Sequence, residues 1–354
     1  MTKNHSHYLD LAFQLAEKNL GQTGLNPAVG TIVVKNDTVI STGITSVNGR
    51  PHSEFNALNK LKNCSGASLY VTLEPCTHHG KTPPCVNMIV KKKIKNVYYA
   101  FNDPDLRTFQ KAKKFLKTKG IKSKLIRSKK YSKFYKGYFL NKKKQIPLVN
   151  AKIAISKDYL TVNKKKKWIT NNASRKIVHF LRNKYDSILS TSKSINADNS
   201  LLNCRIEGLN NSKPDLFIID LGLKLKKRLL LNNLLKNRKT YLIISKKQAN
   251  KTMHYVKKGF KIIIIDSLKN RDDLNTLLKK IYKMGYSRIL VEAGLNFLNY
   301  LLKNKMLNEI YIFKSDLKLG KAGKNYDTPK YLKKLSPKLL KLNLYNDKLY
   351  RREF

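Results

Sequence analysis

Residues 74–85 read Glu74-Pro75-Cys76-Thr77-His78-His79-Gly80-Lys81-Thr82-Pro83-Pro84-Cys85, and residues 51–54 read Pro51-His52-Ser53-Glu54. One imidazole and two thiols, His52, Cys76 and Cys85, supply three soft ligands for one Zn²⁺ per chain, with the fourth tetrahedral position left to water. Bound zinc lowers the pKa of such a water towards neutrality. Glu54 lies two residues past His52 at the start of a helical stretch, close to the metal without being a ligand. It is the candidate catalytic residue, able to carry the water's proton to a ring nitrogen and then to a departing amine. The bland alternative is a buried His and two buried Cys that merely pack; the ordered combination of three elements speaks against it.

Outward from these segments, the chain alternates helices and strands. Leu9, Ala12, Phe13, Ala16 and Leu20 recur at helical spacing over 8–20. GTIVVK (30–35) and VISTG (39–43), joined at Asn36-Asp37, read as a hairpin. A helix from 52 to 61, a strand at 68–73, a helix at 85–93, a strand at 97–101, a helix at 108–119 and a strand after Gly120 follow. This alternation predicts a layered α/β domain. Residues 142–145, followed by Pro147, read as a linker. Beyond it, PLVNAKIAI, SILST, LFIID, TYLIIS, KIIIID, RILVEAG and EIYIFK are near-continuous apolar strands, with helices at 172–183, 271–284 and 295–303 among them. Such strands are buried on both faces, as in a doubly wound sheet.

The chain has 354 residues with 73 Lys+Arg against 22 Asp+Glu, a formal charge of +51. That excess is spread along the whole length and accompanied by abundant Asn and Ile, so its first reading is codon bias in an A/T-rich genome rather than a nucleic-acid surface. Hydrophobic residues make up 41%, which excludes a wholly disordered chain. Four cysteines form no disulfide framework and point to a reducing compartment. The N-terminus has no apolar stretch of the kind that directs secretion, and no apolar run approaches membrane-span length. A soluble, cytoplasmic protein is expected, with no membrane partner.

His-x-Glu followed by Pro-Cys and a second Cys is the signature of zinc nucleobase deaminases. Cytidine and tRNA-adenosine deaminases place two residues between their cysteines, whereas eight intervene here. The run EPCTHHGKTPPC, with Asn26-Pro27-Ala28-Val29-Gly30 upstream, closely resembles the bifunctional riboflavin-biosynthesis deaminase–reductases. The resemblance implies a cytidine-deaminase-like three-layer domain over 1–145 and a dihydrofolate-reductase-like α/β domain over 147–354. It implies zinc-dependent deamination of diaminohydroxyphosphoribosylaminopyrimidine, then NADPH-dependent reduction of the ribosyl chain to ribityl. It also implies that Asn26, His78 and Lys81 contact substrate. An amide can pair with a pyrimidinone edge, while His and Lys can bind a phosphate.

In the second half, Lys152 to Asp158, Trp168-Ile169-Thr170, Arg182, Ser194, Ala197-Asp198, Leu202, Arg205 and Val291 to Gly294 follow the family's reductase domain in order. The match implies Ala154, Trp168, Ser194, Asp198 and the turn and helix Gly294, Leu295, Asn296, Phe297, Leu298, Asn299 and Tyr300 for NADPH. Arg182, Leu202, Arg205 and Glu292 would hold substrate, and Lys166 would offer positive charge to its phosphate.

The chain departs from the family pattern at several places. Thr45 stands where the family has His, and Asp105 where it has Asn. Tyr159-Leu160 replace Gly-Lys, Lys166 replaces a Ser, and Asn199-Ser200 follow Asp198 where a Pro is expected. The departures after Asp158 predict a weakened reductase; a deaminase alone, with a degraded second half, stays open. Two further rivals are a nucleic-acid deaminase, which the charge would favour but the cysteine spacing and large second domain oppose, and a zinc-stabilised binding module. The latter needs a fourth protein ligand, for which His78 or His79 could serve. The expected partner is a small phosphorylated pyrimidine, without specific nucleic acid; homo-oligomerisation stays open.

Overall fold

The apolar spacing near the N-terminus folds into helix α1 (His5–Lys18), which buries Leu9, Ala12, Phe13 and Ala16. The computed structural model describes residues 5–127, 130–209 and 213–354, and the chain divides into two compact units, Met1–Gln145 and Ile146–Phe354. Among the described residues, no helix is long and apolar enough to cross a membrane.

The first unit continues with β1 (Gly30–Lys35), β2 (Thr38–Ile44), α2 (Ser53–Leu58), β3 (Ser68–Val71), α3 (Cys85–Lys91), β4 (Asn96–Tyr99), α4 (Lys111–Thr118), β5 (Lys122–Leu125) and α5 (Lys136–Lys144). Its sheet has the order β2-β1-β3-β4-β5. β1 pairs antiparallel with β2 and β3, and β3, β4 and β5 are parallel. Asn36 and Asp37 both adopt positive φ, 49° and 56°. These are the mirror-image turn angles that match strand twist in a two-residue hairpin and that Asn and Asp tolerate.

Two glycines show how the layers close. A Cβ on Gly30 would sit 1.9 Å from the Ala12 carbonyl oxygen of α1, and one on Gly43 would sit 2.1 Å from the Ser53 carbonyl oxygen of α2. Gly43 pairs with Thr31, the neighbour of Gly30, so the two glycines face opposite sides of the sheet. Helices therefore cover both faces at van der Waals range, which makes three layers. The linker expected at 142–145 is a correction: Lys142, Lys143 and Lys144 are the last turn of α5. Lysines at a helix C-terminus complement its dipole, and Tyr135, Tyr138 and Phe139 bring that helix to the core.

The second unit contains β6 (Leu148–Ile155), β7 (Val162–Asn163), α6 (Asn172–Asn183), β8 (Ser187–Thr191), α7 (Ser192–Asp198), β9 (Asp215–Ile219), β10 (Thr240–Ser245), α8 (Met253–Lys257), β11 (Lys261–Ile265), α9 (Arg271–Lys283), β12 (Arg288–Val291), α10 (Leu295–Lys303), β13 (Glu309–Lys314), β14 (Gly323–Lys324), α11 (Lys330–Lys333), β15 (Lys338–Leu340) and β16 (Lys348–Glu353). Nine strands form one sheet in the order β11-β10-β9-β8-β12-β6-β13-β16-β15. The strands from β11 to β13 are parallel; β16 and β15 add an antiparallel edge. Successive residues alternate between two cores. Leu189, Phe217, Ile219, Tyr241 and Ile243 enter one, while Ile188, Leu216, Ile218, Leu242 and Ile244 enter the other. That is why these strands read as apolar runs rather than as alternating ones.

Gly30→Ala is expected to destabilise the first unit by about 1–3 kcal/mol or more, because the added methyl must push α1 away from β1. Its thermal midpoint should fall, while Gly66→Ala, with open space around its Cβ position, should show only the smaller strain of its left-handed backbone.

Candidate active site

Three elements deliver the metal-binding atoms. His52 is the residue immediately before α2, Cys85 is the first residue of α3, and Cys76 lies on the segment leaving β3. His52 Nδ1 is 3.6 Å from Cys76 Sγ and 3.4 Å from Cys85 Sγ, and all three atoms lie within 4.8 Å of one another. Tetrahedral zinc with the usual bond lengths separates a nitrogen and a sulfur ligand by about 3.6 Å, so the site fits the ion. The Cys85 N–H donates to Cys76 Sγ at 3.3 Å. Hydrogen bonding from the Cys85 side chain, then from His52, holds the Cys76 thiol well below its ordinary pKa. Among the described residues the group contains no fourth protein ligand. His78 Nδ1 instead pairs with Thr108 Oγ1 at 3.1 Å, and His79 is exposed. A structural zinc site closed by protein is thus not what these residues build.

Glu54 is 4% exposed and lines the pocket with His52 and Cys76. Burial pushes its carboxyl above the ordinary range, opposed by His52, and Ser53 Oγ donates to Oε2 at 3.0 Å. Asn26, Thr45 and His78 line the same pocket. Lys81 is exposed and is not among the lining residues. Thr45 Oγ1 accepts from Val29 N–H at 3.0 Å, which ties the residue to the backbone of the Asn-Pro-Ala-Val-Gly motif.

Sequence reasoning passed over several residues here. Arg50, Arg107, Tyr138 and Lys142 also line the pocket. Arg50 had a signal, standing beside Pro51 in the metal motif; Lys142 had none, being one lysine in a run. Glu74 also has a definite task. Its Oε2 accepts from the N–H groups of Asp103 and Gln110 at 3.2 and 3.0 Å, and Oε1 from Ala112 at 3.1 Å. One carboxylate thereby fastens the 103–112 segment to the metal loop.

In the second unit, Arg182 donates Nε to Glu292 Oε1 at 2.6 Å and Nη2 to Oε2 at 3.0 Å, with Nη1 on the Asn203 carbonyl at 2.9 Å. Lys152, another unassigned residue, approaches Glu292 Oε2 at 3.6 Å. Burial alone would raise the Glu292 pKa, but Arg182 and Lys152 hold it down to about 2; burial lowers that of Lys152. Burial raises that of Asp198, opposed by Lys152 and Lys167. Arg205 is exposed, its Nη1 on Asn203 Oδ1 at 2.7 Å. Leu202 is buried at φ 49°.

Residues expected at the cofactor divide into two kinds. The Gly294 N–H donates to Ser194 Oγ at 2.9 Å, joining the starts of α7 and α10, and α10 has no side-chain cap. Trp168 is 50% exposed beside Arg175 and Lys167, and Lys166 is exposed. Uncapped N–H groups at the start of α10 suit a phosphate, and the open indole face of Trp168 suits an aromatic ring. By contrast, Leu295 and Leu298 lie in the core, with Phe297 packed against it. Asn299 donates to Asp327 Oδ2 and the Thr328 carbonyl, Tyr300 to the Asn270 carbonyl, and Asn296 is exposed. Ala154 packs beside Phe313 and Val178.

Comparison with known proteins agrees with both halves. The cytidine and deoxycytidylate deaminase zinc-binding region matches residues 2–101, and the RibD C-terminal domain matches residues 147–349. The riboflavin biosynthesis protein RibD of Buchnera aphidicola is 33% identical, covering 90% of this chain and 88% of that protein; RibD of Aquifex aeolicus is 30% identical, covering 87% and 85%. The crystal structure of Acinetobacter baumannii RibD superposes with a TM-score of 0.83 at 27% identity over 99% of this chain and 98% of that one. The Thermotoga maritima diaminohydroxyphosphoribosylaminopyrimidine deaminase/5-amino-6-(5-phosphoribosylamino)uracil reductase gives 0.82 at 25%, with the same coverage.

Metal analysis of the purified chain should return one zinc per molecule, and Cys85→Ala, which leaves two protein ligands, should retain well under half of it.

Proposed function

The chain belongs to the RibD family of riboflavin-biosynthesis proteins, and on that footing we propose how its own side chains divide the work between two reactions. It is a zinc-dependent deaminase and an NADPH-dependent reductase in one polypeptide. The deaminase acts on diaminohydroxyphosphoribosylaminopyrimidine in the first unit, residues 1–145; the reductase converts the ribosyl chain of the product to ribityl in the second, residues 147–354. The observation that carries the deaminase reading is the His52–Cys76–Cys85 triangle with buried Glu54 beside it and no fourth ligand among the described residues.

His52, Cys76 and Cys85 hold the zinc. When bound, the ion supplies a Lewis acid that acidifies a water molecule. Glu54 would take a proton from the attacking water, deliver it to the ring nitrogen beside the amino-bearing carbon, and then move the second proton to the departing amine. The C–N bond breaks, a C=O forms and ammonia leaves. Asn26 presents its amide to the pyrimidine edge, and His78 stands at the pocket wall. No disulfide joins Cys64, Cys76, Cys85 or Cys204, which fits a reducing cytoplasm.

In the reductase, NADPH supplies hydride. The residues bind and orient: the start of α10 with Gly294 and Ser194 for the cofactor phosphate, Trp168 and Ala154 for its rings, Asp198 for a hydroxyl. Glu292 faces substrate as a carboxylate, and Arg182 acts through Glu292, since its guanidinium is already shared between that carboxylate and Asn203. Arg205 and Lys166, both exposed, are the cations left for the substrate phosphate. An exposed lysine is a point charge rather than a shaped site, so binding should be weaker than a built pocket would give.

Incubation of the zinc-loaded protein with the pyrimidine substrate should give a product whose mass shows exchange of NH for O, and added NADPH should add two further hydrogens. Glu54→Gln should keep its zinc yet lose deamination by about 10²–10⁴-fold; near-parental turnover would remove Glu54 from its role. Arg205→Ala should raise KM for the deaminated substrate by about tenfold or more with a smaller change in kcat, read from NADPH oxidation.

A further inference from the structure

The family pattern has Asn at the position of Asp105, inside a pocket whose substrate carries a phosphate. An acid there should repel that substrate, yet the structure surrounds it with cations. Asp105 Oδ1 accepts from Arg107 Nε at 2.9 Å and from the Arg107 backbone N–H at 3.1 Å. Its Oδ2 accepts from Arg107 Nη2 at 2.6 Å and from Lys142 Nζ at 2.9 Å. The Asp105 N–H in turn donates to Asp103 Oδ1, which also takes the Tyr138 hydroxyl at 3.0 Å. All five residues belong to one unit, and all line the pocket that holds Glu54 and His52.

Two cations share the Asp105 carboxylate, and the buried Asp103 is the second acid of the network. The Asp105 side chain is 11% exposed, against 61% for Arg107 and 31% for Lys142. The acid is thus covered while the two cations are the more exposed members of the network. Asp105 takes Nε and one Nη2 proton of Arg107, leaving the Nη1 side of the guanidinium for a ligand. A phosphomonoester carries about −1.5 to −2 charges at neutral pH and has three acceptor oxygens, and a guanidinium meets it in a fixed fork. Lys81, the lysine of the cysteine loop, lies outside the pocket lining.

We propose that Arg107 and Lys142 form the phosphate clamp of the deaminase pocket, with Asp105 as the positioning residue that holds both in place. This rests on the deaminase reading and deepens it: Asp105 acts through its two partners rather than by touching substrate. In this chain the acid and the two bases are one device, so the loss of the family's amide is compensated by Arg107, which stands in the same short segment.

The test compares deamination of the phosphorylated pyrimidine and of its dephosphorylated ribosyl form, at fixed ionic strength, by the full zinc-loaded chain. The wild type should prefer the phosphorylated form in kcat/KM. Arg107→Ala and Lys142→Ala should each raise KM for that form by about tenfold, with a much smaller effect on kcat, and shrink the preference accordingly. Asp105→Asn should do the same, although it makes the pocket more positive, and Asp105→Glu should restore part of the preference. A lower KM for the phosphorylated form in Asp105→Asn would overturn the proposal, because the acid would then merely repel substrate. An unchanged preference in both cation variants would overturn it too, reducing the trio to a loop tie. Failure of the wild type to deaminate either form would overturn the deaminase reading and this proposal together.

Discussion

Two helix starts and one strand exit must converge within a single coordination sphere, and the first unit is built around that demand. Cys85 opens α3 and His52 immediately precedes α2, so both ligands sit at helix starts rather than on free loops. Cys76 has no helix of its own, and its position follows from Glu74, whose carboxylate gathers three backbone N–H groups from residues 103–112. The same bonds carry the Asp103–Asp105 turn to the pocket wall. The metal loop and the 103–112 segment of the pocket wall are therefore joined through one buried carboxylate.

Most of this was legible because chemistry and periodicity agreed. His-x-Glu, the cysteine loop and the hairpin at Asn36-Asp37 each have a local cause, and local causes survive in sequence. What escaped notice depended on three-dimensional partners. Glu74 looked like part of a motif, but its work is done with residues about thirty positions away. Lys142 was one of several lysines in a chain of +51 charge, and the same abundance disguised the end of α5 as a linker. The antiparallel strand β16, with the sequence KLYRRE, buries only Leu349 although β13 and β15 pair with it on both sides, so periodicity passed over it.

In the second unit the residues picked out by resemblance separate by burial. Arg182, Glu292 and Lys152 form a buried charged cluster whose members satisfy one another, whereas Arg205, Lys166 and Trp168 face outward. Arg182 spends Nε, Nη1 and Nη2 on Glu292 and the Asn203 carbonyl, and no pattern of residue types shows which arginine is engaged in this way. Likewise, the helix from Leu295 to Lys303 offers a ligand its backbone more than its side chains, several of which serve the core.

The apolar strands raise a question of alignment. When both faces of a strand are greasy, sliding it by one residue exchanges the contents of the two cores without exposing anything to water, so hydrophobicity says little about where the strand should stop. Here three carboxylates, two buried and one half-buried, act as detents. Asp186 captures the N–H and hydroxyl of Ser287 and locks β8 to β12. Asp215 takes the N–H of Lys239 and locks β9 to β10. Asp220 holds the Ser192 hydroxyl together with two N–H groups, which aligns the exits of β8 and β9. In a chain with only 22 acids, three are spent as the ratchet teeth of one sheet, and drift in base composition that eroded them would blur the register before it weakened the core.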